Sequence, residues 1–147
     1  MGHAMRTRII ILATLLAEIA LSAPGVAGQS VALQGMWRSG ETTMRVIHTM
    51  GEVRGIFATV STAARAIGFK PGDVSFNAAT FDNYLHGVQM HRYGGGCYPN
   101  GRRVAMMARL TPDGRLMAIH TYEIRVDNLC RDTGEFSISE SLWQRVH

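Results

Sequence analysis

The stretch that decides the fold is residues 35–59, GMWRSGETTMRVIHTMGEVRGIFAT. Polar and apolar side chains alternate along it, which is the pattern of a β-strand with one buried face. Two turn sequences, Ser39-Gly40 and Met50-Gly51, interrupt the alternation. Such tight turns join neighbouring antiparallel strands. The stretch therefore predicts three consecutive strands of an antiparallel sheet.

The same pattern continues through the rest of the 147-residue chain. It predicts one short helical stretch at 61–67 and eight strands, over residues 34–39, 42–50, 53–60, 73–80, 84–93, 103–110, 115–127 and 136–146. The longest connections, 61–72, 94–102 and 128–135, follow strands three, five and seven, so in an up-and-down sheet they lie at one end. Because closure removes the exposed edges of such a sheet, we predict an all-β fold, an eight-stranded antiparallel up-and-down β-barrel.

The first 28 residues have the features of a secretory signal peptide. Arg6 and Arg8 precede an apolar run at 9–21, and Pro24 with small neighbours follows it. The run is too short to span a bilayer comfortably. We therefore predict a cleaved signal peptide at 1–28, a single barrel domain at 29–147, and a secreted or periplasmic protein that is not an integral membrane protein.

Charge and cysteine content narrow the class of protein further. The formal net charge of +4 is mild and not concentrated in one segment, so we do not expect a nucleic-acid partner. Cys97 and Cys130 both lie in the exported part, where a disulfide is the simplest state of such a pair. A redox-active or metal-binding pair is the alternative, although the C-x-x-C spacing of such sites is missing.

The opening strands also resemble a known group of barrels. Gly-Met-Trp at 35–37, Thr-Met-Arg-Val at 43–46 and Gly-Ile-Phe-Ala-Thr at 55–59 resemble the start of avidin-like proteins and, more broadly, of the calycin group that includes lipocalins. The resemblance implies that Trp37 lies at the closed end of the barrel and that Arg145 on the last strand covers it. It also places Phe57 where avidin-like proteins carry a ligand-binding Tyr, and the missing hydroxyl implies that biotin is not the ligand.

Alternation within each predicted strand suggests which side chains line the lumen. On the seventh strand the more apolar face carries His120 and Tyr122, so we expect both to point inward. On the eighth strand the face with Ser137, Ser139 and Ser141 is polar, so we expect it to point outward. The candidate ligand-binding residues of this apolar lumen are Met44, Val46, His48, Phe57, Met106, His120 and Tyr122.

The inward His120 and Tyr122 permit two interpretations. They orient a polar ligand group or perform acid–base chemistry, or they satisfy buried hydrogen bonds in a filled core. At the mouth, Arg92, Arg102 and Arg103 flank the glycines at 94–96 and are candidate contacts for a ligand head group or a partner. No catalytic motif and no metal-ligand spacing is present, so we assign no catalytic residue, metal or cofactor.

Three hypotheses of function follow. The first is an exported barrel that binds a small, largely apolar molecule at a mouth tethered by the disulfide. The alternative is a periplasmic protein-binding module, an inhibitor or an envelope accessory factor, with a filled barrel and contacts on its long loops. The third is a small barrel enzyme that uses His120 and Tyr122. The sequence does not indicate an oligomeric state.

Overall fold

The computed structural model describes residues 33–147, and the predicted signal peptide at 1–28 lies outside them. Eight antiparallel strands follow one another in chain order and close into a barrel, because the last strand pairs with the first. The predicted eight-stranded up-and-down barrel is therefore confirmed. The strands are β1 (Gly35–Ser39), β2 (Thr42–Thr49), β3 (Glu52–Thr59), β4 (Val74–Phe81), β5 (Tyr84–His91), β6 (Arg102–Leu110), β7 (Leu116–Val126) and β8 (Asp132–Val146), with a short helix α1 (Thr62–Ala66) after β3.

The boundaries differ most from the prediction between β7 and β8. The pairing continues past an irregularity at Ile124/Val126 until Val126 meets Asp132, so β8 begins four residues earlier than expected. Its connection is only 127–131, and the Asp127 carboxylate closes it by accepting hydrogen bonds from the backbone N–H groups of Leu129 and Arg131, each at 2.9 Å. This side-chain hydrogen bonding turns the chain within few residues.

One end of the barrel is closed by a packed apolar core. Trp37 is fully buried, and its indole Nε1 donates to the Leu33 carbonyl at 3.0 Å. The Arg145 guanidinium carbon lies 5.1 Å from the centre of the Trp37 ring, a cation–π distance. The arrangement is the one that the calycin resemblance implies for these two residues. The rest of this core is formed by Met44, Val46, Val53, Phe76, Leu85, Met106, Ala108, Leu110, Met117, Ile119 and Trp143.

The other end, which we call the mouth, carries the connections 60–73, 92–101 and 127–131. A disulfide joins Cys97 in the second of these to Cys130 in the third, as predicted. Ser61 begins α1 by accepting a hydrogen bond from the Ala64 backbone N–H. Phe69, beyond that helix, packs edge-on against Phe57 with ring centres 5.3 Å apart. The loops are thus tied to one another and to the barrel wall. Within residues 33–147, no helix is long and apolar enough to cross a membrane.

Candidate functional site

The orientation of β7 is opposite to the one expected from its hydrophobicity. Met117, Ile119 and Thr121 are buried inside the barrel, whereas Tyr122 is 40% exposed on the outer wall. His120 also belongs to the outer face, where its Nε2 lies 3.3 Å from a carboxylate oxygen of Glu140. The prediction that His120 and Tyr122 point into the lumen is therefore wrong, because the outer face of this strand is the more apolar one.

The neighbouring strand β8 shows the same inversion. Trp143 is buried, so the serines at 137, 139 and 141, which share its face, point inward rather than outward. The opposite face carries Phe136, Ile138 and Leu142, which are 72%, 65% and 58% exposed. The outer wall is thus apolar here, and the expected outward orientation of the serine face is wrong.

The strand register shows how polarity changes along the inner wall. In antiparallel sheets, residues directly opposite each other share a face. Met117 faces Trp143 near the closed end, and Ile119 faces Ser141 one step nearer the mouth. The next two steps toward the mouth are entirely polar, with Thr121 opposite Ser139 and Glu123 opposite Ser137. The lumen therefore has an apolar floor and a polar wall.

Four of these mouth-half side chains form one hydrogen-bonded group, which we call the Glu123 network: Glu123, Ser139, Thr121 and His91. The Ser139 hydroxyl donates to Glu123 Oε1 at 2.9 Å and shares a 2.5 Å hydrogen bond with the Thr121 hydroxyl. His91 Nδ1 lies 3.1 Å from the same carboxylate oxygen. His91 comes from β5, and β6 separates it from β7, so this contact passes over the inner face of β6.

A tyrosine at the mouth fixes the histidine ring of the network. Tyr93 packs edge-on against His91 with ring centres 4.4 Å apart. Its hydroxyl donates to the Ile124 carbonyl at 3.0 Å, so the ring is held at both ends. Burial raises the pKa of the Tyr93 hydroxyl, which therefore stays protonated and remains a hydrogen-bond donor at neutral pH.

The Glu123 network remains accessible although it points into the barrel. The Glu123 side chain is 17% exposed and the His91 side chain is 26% exposed. Ser139 is exposed as well. Met44, Val46 and Met106, which also point inward, are buried in the core. Because inward side chains keep exposed area only where other atoms do not cover them, the mouth is accessible on the side of β5, β7 and β8, and the closed half is packed.

The predicted lumen residues therefore divide into three groups. Met44, Val46, Phe57 and Met106 point inward as expected, but they belong to the packed core. His48 is half-buried near the closed end, where it pairs with the buried Val53. His120 and Tyr122 lie outside, as described above. The four residues of the Glu123 network, His91, Thr121, Glu123 and Ser139, were not predicted from the sequence. A serine at every second position of β8 was nevertheless a signal for a polar inner wall.

One of the three predicted mouth arginines, Arg92, is bound within the fold. Arg92 Nη1 donates to the Pro99 carbonyl at 2.8 Å, and its Nη2 lies 3.5 Å from Asp73. The same guanidinium group stacks over Phe69 and so ties the 60–73 connection to the 92–101 connection. Arg92 thus links two of the three connections at the mouth.

The other two predicted arginines differ from each other. Arg102 makes two hydrogen bonds to Asp132, at 2.6 and 3.0 Å, and holds the pKa of that carboxyl below its usual value. It also lies over the Tyr98 ring at 5.2 Å. Arg103 is exposed on the outer wall, at a shallow groove of about 520 Å³ that it shares with Arg54 and His86. Arg103 is therefore not part of the lumen.

Comparison with known proteins gives little beyond the fold. No protein-family model matches the chain, and no curated protein does. Among solved structures, the bradavidin2–biotin complex matches 77% of this chain and 96% of its own, with 15% identity and a TM-score of 0.47. The fold assignment rests on the chain's own closed order of strands, β1 to β8, which is that of an eight-stranded up-and-down barrel.

Proposed function

We propose that this protein binds a small molecule in the mouth half of the barrel. The observation that carries the proposal is the Glu123 network, a hydrogen-bonding surface that lies inside the barrel and is open to the mouth. Placing a carboxylate inside a filled core costs several kcal/mol, so an interior carboxylate is expected where water or a ligand solvates it. A concave site with a few convergent polar groups is the usual form of a small-molecule site.

The ligand that fits this lumen has a polar head and an apolar body. Ile119 is buried one step below Thr121, and Met106 is buried beside Thr121 on β6, so both supply apolar surface next to the polar wall. The wall itself consists of Thr121, Ser139 and Glu123, which a purely apolar molecule would leave without partners. The proposed ligand is therefore amphipathic, whereas the sequence alone suggested a largely apolar one.

We further propose that the protein acts outside the cytoplasm. The signal-like residues 1–28 and the cysteine pair support this, since disulfides persist in oxidising compartments. The mature protein then presents its disulfide-tethered mouth to small molecules of the periplasm or the external medium.

The proposal is tested by native mass spectrometry of the non-reduced protein, purified from the periplasm of an expression host. We expect a non-covalently bound molecule, seen as an additional mass that is lost on denaturation. We also expect an N-terminus near residue 29. Ser139→Trp places an indole in the open half of the lumen and should remove that mass. Ile138→Trp, one position away on the exposed outer wall, is the matched control and should retain it.

Retention of the same mass by Ser139→Trp would contradict a site in the lumen. If the wild-type protein carries no bound molecule, it is titrated with a small-molecule library. Binding is then followed by the amide resonances of β7 and β8. Absence of any shift at Thr121, Glu123 and Ser139 would also refute the proposal.

A further inference from the structure

The Glu123 network leaves one carboxylate oxygen for a ligand. Glu123 Oε1 accepts from the Ser139 hydroxyl and contacts His91 Nδ1. Glu123 Oε2 accepts no hydrogen bond from any side chain or backbone group of residues 33–147. An ionised carboxylate has about four lone-pair positions over its two oxygens, so the second oxygen is a strong acceptor held in a fixed place.

Two further acceptors lie on β5, on the same inner face of the barrel as Glu123. His91 turns Nδ1 toward the carboxylate, so the tautomer that donates from Nδ1 leaves Nε2 as an acceptor. Gln89 pairs with the buried Phe76 and Val104 and therefore points inward. Its Oε1 atom is buried and has no hydrogen-bond partner within the described part of the chain. Buried polar atoms are rarely left unpaired, so this oxygen requires a donor from water or from a bound molecule.

The charge of Glu123 is not balanced by the cations of the mouth. Arg102 is paired with Asp132, and Arg92 lies against Asp73, so each of these arginines already has its own carboxylate. Within residues 33–147, the ion-pair contact of Glu123 is with His91 alone, and His91 is charged only when protonated. A ligand with a positive head group would therefore meet an available negative charge at the polar wall.

We propose that the ligand's head group is a planar nitrogen cation with several N–H donors, an amidinium or a guanidinium. This inference rests on the proposed function. Such a group donates to Glu123 Oε2 and has further N–H groups for His91 Nε2 and Gln89 Oε1. Charge-assisted hydrogen bonds to a carboxylate are about twice as strong as neutral ones, so the cation is favoured over a neutral amide. A carboxylate head group would place acceptor against acceptor.

The test uses three probes that share a phenyl ring and differ in the head group: benzamidine, benzamide and benzoate. Dissociation constants are measured with the mature, disulfide-bonded protein from amide chemical shifts of the lumen strands at pH 7.5. We expect benzamidine to bind about tenfold more tightly than benzamide. Benzoate should be the weakest of the three.

Glu123→Gln keeps the shape and one acceptor oxygen but removes the charge. It should weaken benzamidine about tenfold and leave benzamide within about twofold. Glu140→Gln, on the outer wall of the adjacent strand, is the matched control and should change neither value. Equal binding of benzamidine and benzamide, or tighter binding of benzoate, would overturn the cation inference.

The variants separate this inference from the proposed function. If all three probes bind equally and Ser139→Trp abolishes their binding, the lumen site stands and the cation preference fails. If Ser139→Trp leaves the binding of every probe unchanged, both the lumen site and the inference built on it fail.

Discussion

Replacing Gly55 with alanine tests whether the closed half of the barrel is packed, which sets the floor of the proposed site. Gly55 lies on the inner face of β3, and a Cβ atom there would lie 2.5 Å from Met44 Sδ and 2.5 Å from Phe76 Cε1. Both neighbours are almost completely buried, so any shift that makes room for the new methyl group has to be accommodated within the core. Overpacking of this kind costs typically about 1–3 kcal/mol. The lower entropy of the unfolded alanine chain offsets about 0.4–1 kcal/mol of that cost.

We therefore expect Gly55→Ala to lower the free energy of unfolding by about 1–2 kcal/mol in urea titrations followed by tryptophan fluorescence. Phe76→Leu removes the ring atoms that the new methyl group meets. The double variant should thus lose less than the sum of the two single losses, with a coupling of about 1 kcal/mol. Gly94→Ala is the control, because its Cβ would meet nothing within 4 Å. An unchanged Gly55→Ala, or strictly additive losses, would mean that the closed half has room and the lumen is deeper than proposed.

Two further predictions concern the mouth. The disulfide spans 33 positions and therefore restricts the unfolded chain. The variant with both Cys97 and Cys130 replaced by alanine should lose about 3–4 kcal/mol of the free energy of unfolding in urea titrations. A loss below about 1 kcal/mol would contradict an effect on the unfolded chain. The hydrogen bonds from Arg102 lower the pKa of Asp132 in the folded state, so their contribution is present above the usual value of 3.8 and is lost as the pH falls through the lowered value. Thermal midpoints measured from pH 7 to pH 2 should therefore fall less steeply below pH 3.8 for Asp132→Asn than for the wild type, and equal slopes would refute this.

The number and order of the strands were predictable because both depend on local sequence. The turn at Met50 and Gly51 illustrates this. Both residues have positive φ angles, 48° and 83°, which is the geometry that joins two strands most tightly. Such turns fix the length of each strand and alternate the direction of the chain. The placement of both cysteines at one end followed from that alternation, and the disulfide is confirmed.

The direction in which each face points was predictable only where the interior is apolar. On β2, β3 and β6, the hydrophobic face is the inner one, and Met44, Phe57 and Met106 are buried as expected. On β7 the rule failed, because Tyr122 and its neighbours make the outer face more apolar than the inner one. Hydrophobicity assigns a face by assuming a dry interior. It cannot assign a strand whose inner side faces an open, polar lumen.

The same failure falls on the residues of the proposed site. A strand that turns polar residues inward and leaves large apolar ones outside gives up burial energy, and such exceptions to the folding rules concentrate where function requires them. On β7 and β8 the inner positions nearest the mouth are Thr121, Glu123, Ser137 and Ser139, while Ile138 and Phe136 stay exposed. Nothing in barrel closure requires that exchange, since β6 closes the same barrel with Val104 and Met106 inside. The polar half of the wall is therefore the feature of the fold on which the proposed ligand site rests.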